Sequence, residues 1–213
     1  MDVLTVAAIL ATVAGIGAGL WWRSRARRAE AEARTLRREL RIERHAASHD
    51  ALTGLPNRRA FYEIGVALVT QPQRPDLAVA VLDLDNFKQI NDVFGHAVGD
   101  EVLVTVARRL ADHAGGNLLA RLGGDEFAGL LTIPTTDQRW LTDATRRLTE
   151  AVGTPMLVTG RTIFVTASVG LVPVGTATHL SEALRRADIA MYHAKNRSHH
   201  RPPRDHASAV ALR

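Results

Sequence analysis

The chain of 213 residues has no cysteine, which excludes a disulfide framework and any Cys-ligated zinc site. Lysine is almost as scarce. Of 27 basic residues only Lys88 and Lys195 are lysines, in a chain that otherwise uses arginine for positive charge. Residues 23–48 contain neither glycine nor proline, so nothing there interrupts a helix. Residues 3–22 contain no charged side chain. The formal net charge is +5, but the excess arginine lies between Arg23 and Arg44 and in the tail beyond Lys195. The region between is slightly acidic, and nucleic-acid binding is therefore not the expected use of the positive charge.

The segment that stands out is Arg121-Leu122-Gly123-Gly124-Asp125-Glu126-Phe127. Apolar runs flank it, Leu118-Leu119-Ala120 before and Phe127 to Leu131 after. A Gly-Gly pair between two strand-like runs predicts a tight hairpin, because glycine accepts positive φ without steric cost. Asp125 and Glu126 then sit side by side at the turn. Neighbouring carboxylates repel, and a cation such as Mg²⁺ on a phosphate ester relieves that repulsion. Taken alone, the segment would read as a solvated acidic turn; the rest of the chain is what argues for a nucleotide site.

A second segment supplies more acids. Leu77 to Leu82 is a nearly unbroken apolar run and predicts a buried strand ending at Asp83. Alternation places Asp83 and Asp85 on one face of the strand end. Asn86 is expected to cap a short helix in which Phe87, Ile90 and Phe94 fall at helical spacing as core residues. Gly95 and Gly99 are expected to bracket a turn into a helix from Glu101 to about Ala114, with Asp100 at its N-cap. Further helices are expected near Arg58 to Thr70, Asp137 to Val152 and Ser181 to Lys195, and a strand over Val165 to Leu171.

With these pieces in hand, the chain resembles a GGDEF-domain diguanylate cyclase. The matching motifs are Asp50-Ala51-Leu52-Thr53-Gly54-Leu55-Pro56-Asn57-Arg58-Arg59, the Asp83 to Asp100 block and the Gly123 to Phe127 hairpin. Two more follow, Val165 to Gly170 and Ala187 to Lys195. The resemblance covers about residues 48–199. It implies an α+β domain, a mainly antiparallel sheet flanked by helices like that of nucleotidyl cyclases and polymerase palms. It also implies condensation of two GTP molecules into cyclic di-GMP with release of pyrophosphate, by a two-metal mechanism at a homodimer interface. By resemblance, Asp83, the Leu84 carbonyl and Asp125 are ligands of Mg²⁺ or Mn²⁺, with Glu126 as a further metal-side acid. Asp125, Glu126 and Lys88 are the implied catalytic residues. Asn91, Asp100, Phe87 and Lys195 are the implied substrate-binding residues, Asn91 and Asp100 reading guanine. A carboxylate accepts from guanine N1–H and its exocyclic amine, and adenine would leave that acceptor unpaired. Both lysines fall where the family contacts phosphate, which suits a compact ammonium rather than a guanidinium fork. His96 is expected to be a structural turn residue.

Two departures stand out. Where the family carries Gly-Arg after the Ala-Lys motif, this chain has Ser198-His199, and the alternative expectation is a catalytically weak domain that binds GTP and signals by contact. Where the family carries an Arg-x-x-Asp product site, the chain has Ala114-Gly115-Gly116-Asn117, so no product inhibition through that site is expected.

The remaining segments are expected to organise around this domain. Residues 1–22 read as a single transmembrane anchor, since Val3 to Trp22 has about the length a helix needs to cross a bilayer. Trp21-Trp22 suit the interface, and the arginines that follow mark the C-terminal side as cytoplasmic. A cleaved signal peptide would want a cationic start rather than Met1-Asp2. Ala7, Ala11, Gly15 and Gly19 form a small-residue stripe suited to helix pairing. Residues 23–48 read as a helical linker with a weak coiled-coil seam at Ala29, Ala33, Leu36 and Leu40. Any stimulus would then act through the membrane segment, this helix or a partner protein. Residues 49–199 are the expected catalytic domain, and 200–213 a flexible tail.

Overall fold

A computed structural model of the protein describes residues 2–175 and 178–199, with side chains at all of these except 3–14, 16, 18, 24, 40–42, 44, 198 and 199. The chain divides into two compact units, residues 1–47 and 48–213.

The first unit belongs to one helix, α1 (Val3–Ser48). The expected continuation of the helix through 23–48 is what forms, as the absence of glycine and proline dictates. Leu20, Trp21, Trp22 and Leu36 are exposed on it. Most side chains of the anchor stretch, including Ala7 and Ala11 of the small-residue stripe, lie outside the described residues. Among the described residues no helix is long and apolar enough to cross a membrane.

The second unit is built on an antiparallel sheet of four strands in the order β2-β3-β1-β6. These are β1 (Leu77–Leu84), β2 (Leu118–Gly123), β3 (Glu126–Thr132) and β6 (Ala167–Val174). Alternation along β1 assigns its faces. Ala80, Leu82 and Leu84 join a core with Val102, Leu103, Val106 and Leu110 of α4 (His96–Ala114) and with Leu148 and Val152 of α5 (Gln138–Gly153). Leu77, Val79 and Val81 join a second core with Phe61 of α2 (Arg58–Val69) and with Ala183, Leu184, Ala187 and Met191 of α6 (Leu180–His199). Asp83 continues the second series at the strand's end.

Helix ends follow local chemistry. The Asn57 side chain accepts from the Ala60 amide at the start of α2, and Asp137 accepts from the Arg139 and Trp140 amides at the start of α5. Two expectations about ends are corrected. Asn86 precedes α3 (Phe87–Phe94) at φ 56° and makes no side-chain cap bond. It provides a left-handed turn out of β1, which asparagine tolerates. The next helix begins at His96, not at Glu101, because Gly95 at φ 84° both ends α3 and starts α4. Asp100 therefore lies inside α4 and is not its N-cap.

A two-stranded sheet escaped the sequence reading: β4 (Met156–Val158) pairs with β5 (Arg161–Ile163). Each strand has three residues, too few for a periodicity to register.

Candidate active site at the β1 and β2–β3 edge

The expected hairpin forms. Gly123 pairs with Glu126, leaving Gly124 and Asp125 as the turn, with Gly123 at φ 142° and Gly124 at φ 52°. Glycine is needed at both positions because L side chains disfavour those angles. Asp83 is the cross-strand partner of Glu126, so the end of β1 lies directly beside the turn. The Leu84 amide donates to the Asp125 carbonyl at 3.3 Å and ties the two segments together.

Lys195 closes this edge from α6. Its Nζ donates to Asp83 Oδ1 at 2.5 Å, with the Asp83 side chain only 13% exposed. Burial pulls the Lys195 ammonium down, but the bond to Asp83 and the charges of Asp83, Asp125 and Asp85 outweigh it and hold the group above its ordinary value. Asp125 shows the opposite balance. Burial pushes its carboxyl up and the neighbouring Asp83 charge adds to that, against the backbone bond, Lys195 and Arg121. A half-buried carboxyl beside a second carboxylate, with its ionisation opposed by burial and by that neighbour, belongs to a donor set suited to a hard, oxygen-preferring cation such as Mg²⁺ or Mn²⁺. Among the described residues no three His, Cys, Asp or Glu side chains converge as a ready metal cage. Glu126 instead meets Arg58, whose Nη2 lies 3.4 Å from Oε2 in an exposed pair.

Asp85 faces β6. It accepts from the Thr166 hydroxyl at 2.8 Å and the Ser168 hydroxyl at 2.7 Å, fastening β1 to β6 just beyond the acidic edge.

The other expected site residues gather on α3 and α4. Phe87 is buried in the first core and Lys88 beside it is exposed. Asn91 rests on α4 at Gly99: a Cβ built on Gly99 would lie 1.9 Å from Asn91 Oδ1 and 3.3 Å from the Phe87 ring tip. Gly99 thus serves close approach rather than a turn, and it seats Asn91 against the helix turn that carries the exposed Asp100. His96 is the exposed first residue of α4. In the 114–117 turn, Asn117 Nδ2 donates to the Ala114 carbonyl and Oδ1 accepts from the Thr132 amide, so this side chain is committed to the fold. The side chains of Ser198 and His199 lie outside the described residues.

Comparison with known proteins shows the family. Residues 47–201 match the family described as "Diguanylate cyclase, GGDEF domain". The chain belongs to the GGDEF family. This GGDEF chain is 41% identical over 160 residues to diguanylate cyclase DgcM of Escherichia coli, covering 71% of the chain and 37% of DgcM. It is 38% identical over 159 residues to diguanylate cyclase TpbB of Pseudomonas aeruginosa, covering 72% and 36%. The chain thus spans just over a third of the length of these relatives. Among solved structures, the GGDEF domain of TpbB superposes with a TM-score of 0.64 at 36% identity, covering 70% of this chain and 89% of that one. The coiled coil and GGDEF domain of DgcB from Caulobacter crescentus, in complex with c-di-GMP, gives 0.73 at 28% identity, covering 82% and 94%.

The sequence reading missed two roles: Arg58, which also donates to the Leu122 carbonyl at 3.1 Å, and Arg121. Both stand in quoted motifs, but no local pattern says that an arginine will turn back onto a hairpin.

Proposed function

We propose that this chain is a membrane-anchored diguanylate cyclase that condenses two GTP into cyclic di-GMP and releases pyrophosphate. The observation that carries the reading is the meeting of Asp83 and Asp125 beside Lys195 at one end of the sheet. Mg²⁺ or Mn²⁺ held by Asp83, Asp125 and the Leu84 carbonyl would neutralise the reacting phosphate and ease deprotonation of the attacking 3′-hydroxyl, two ions serving attacker and leaving group. Lys195 and Lys88 hold phosphate oxygens. Asn91 and Asp100 bind the guanine edge, over a floor to which Phe87 belongs. Glu126 supplies a further acid at the metal side.

Each domain binds one GTP, so two copies must face each other. The helix α1 supports this by raising the local concentration of the second domain. Residues 1–22 cross the bacterial cell membrane once and leave residues 49–199 in the cytoplasm, where GTP is available. The absence of charge at Ala114 and Asn117 leaves the enzyme without an Arg-x-x-Asp product site.

Incubating the full chain in lipid nanodiscs with GTP and Mg²⁺, and resolving products by mass spectrometry, tests the activity. Cyclic di-GMP from the parent but not from Asp125→Asn is the expected result. GTP binding without product would replace the cyclase by a nucleotide-binding signalling module, the reading that Ser198-His199 favours.

A further inference from the structure

Arg121 is the most heavily engaged side chain near the hairpin. Its Nε and Nη2 both donate to the Gly124 carbonyl, at 2.9 and 2.7 Å, and its Nη1 donates to Asp50 Oδ1 at 3.0 Å. The side chain is only 11% exposed. Gly124 is the residue before Asp125, and its carbonyl belongs to the peptide unit that delivers Asp125 into the turn. The far end of the fork is equally fixed. Asp50 Oδ1 also accepts from the Thr53 amide at 2.8 Å and the Thr53 hydroxyl at 2.6 Å. The backbone repeats the connection, since the Arg121 amide donates to the Pro56 carbonyl at 3.0 Å and the Asn57 amide to the Ser48 carbonyl at 2.9 Å.

We infer that Arg121 is the positioning residue of the catalytic hairpin: it locks the Gly124–Asp125 peptide against the 48–57 loop through Asp50, and so aims the Asp125 carboxylate at Asp83. This rests on the cyclase reading for its kinetic consequence but not for its structural one. A guanidinium is required because its planar fork places three N–H donors on two acceptors from different segments at once, which a lysine cannot do. Asp50 acts through one oxygen. All three of its bonds end on Oδ1, so an asparagine carbonyl can accept them and keep the geometry that aims the hairpin.

The test uses the full chain with Arg121→Lys, Arg121→Gln, Asp50→Ala and Asp50→Asn. A misplacement of about 1 Å costs roughly 10²-fold in turnover. The expected result is therefore a fall in kcat of about 10- to 100-fold for both Arg121 variants and for Asp50→Ala, with the affinity for a non-hydrolysable GTP analogue changing less than about threefold. Asp50→Asn should recover most of the loss seen with Asp50→Ala. The second readout needs no turnover: hydrogen exchange at the Asp125 and Glu126 amides should quicken at least about tenfold in Arg121→Lys. Wild-type kcat in Arg121→Lys, a parallel loss of analogue binding, or Asp50→Asn behaving as Asp50→Ala would each overturn the inference. If the parent makes no cyclic di-GMP the cyclase reading falls by itself, and unchanged exchange in Arg121→Lys would still overturn the positioning role.

Discussion

The two hairpins of this domain turn on similar chemistry and are held in different ways. The β2–β3 hairpin turns at Gly124-Asp125 after Gly123, and the β4–β5 hairpin turns at Thr159-Gly160 with φ of 47° and 76°. The second is held by its own ladder of three pairs, by Met156, Val158 and Ile163 packing into the core, and by the Arg161 guanidinium over the Phe94 ring at 5.7 Å, while Leu157 stands 76% exposed. The first pairs its β3 strand with β1, lends its Asp125 carbonyl to the Leu84 amide, and is gripped by Arg58 and Arg121 from outside the turn. Residues that accept positive φ make a hairpin. What makes a site is fastening by groups distant in sequence, because only these hold a carboxylate where another element presents its partner.

The comparison breaks most sharply at the turns. Asp125→Asn keeps the size of the side chain and removes its charge. It should lower cyclic di-GMP formation by roughly 10³-fold or more, the scale on which losing a central catalytic group acts. The other hairpin carries Thr159 in its turn and belongs to a separate two-stranded sheet, and Thr159→Asn should leave kcat within about twofold. Initial rates of pyrophosphate release measure both. Comparable losses at the two turns would show that hairpin stability, not Asp125, limits the rate.

Next in size is a change behind the site. A Cβ on Gly170 of β6 would lie 2.0 Å from the Ala187 carbonyl and 2.5 Å from the Met191 amide, both backbone atoms of α6. Neither can move without the helix, and the helix carries Lys195. Gly170→Ala should therefore cost about 3 kcal/mol, at the upper end of overpacking effects, and loosen the Lys195–Asp83 contact. Gly129→Ala in β3 is the control, because its nearest neighbour would be Leu131 at 3.5 Å, ordinary contact. Thermal denaturation of the two variants should separate them, and equal melting points would mean that α6 does not rest on Gly170.

How much of this was readable beforehand depends on range. The apolar run of Leu77 to Leu82, the Gly123-Gly124 turn and the helical stretch beginning at Asp137 are local signals, and they placed β1, the hairpin and α5 correctly. Gly99 was legible as a constrained position but not for its reason. A turn and a close approach both ask for glycine, and only the packing of Asn91 on α4 distinguishes them. The Asp83, Asp125 and Lys195 cluster joins residues up to 112 positions apart; motif resemblance rather than any periodicity singled out the three residues, and the bond from Lys195 to Asp83 was not anticipated. Arg58 and Arg121 stayed invisible in a sequence where arginine is the ordinary cation.

A pH series sharpens the comparison at the grip itself. Burial pushes the Asp50 carboxyl up, but bonds from the Thr53 hydroxyl and amide and from Arg121 outweigh it and hold the group below its ordinary value. A carboxyl with a folded value below the unfolded one contributes stability that is present above the unfolded value, about 3.9, and is lost as pH falls through the folded value. The parent should thus lose melting temperature more steeply than Asp50→Asn between about pH 5 and pH 3, since the variant has no carboxylate to protonate there. Parallel curves would mean that Asp50 is not preferentially ionised in the folded protein.

The smallest effect lies in the β4–β5 hairpin. Thr159 is β-branched and sits at φ 47°, where side chains other than glycine, asparagine and aspartate are disfavoured. Nothing in the β4–β5 ladder demands threonine there, since Val158 pairs with Arg161 on either side of the turn. Asparagine followed by Gly160 is the pair that a two-residue hairpin with two positive φ angles prefers. Thr159→Asn should stabilise the domain by about 1 kcal/mol, a rise of roughly 2–4 °C in melting temperature, with kcat unchanged. A rise in melting temperature accompanied by a change in kcat would show that the β4–β5 turn communicates with the acidic edge, and the contrast between the two hairpins would fail.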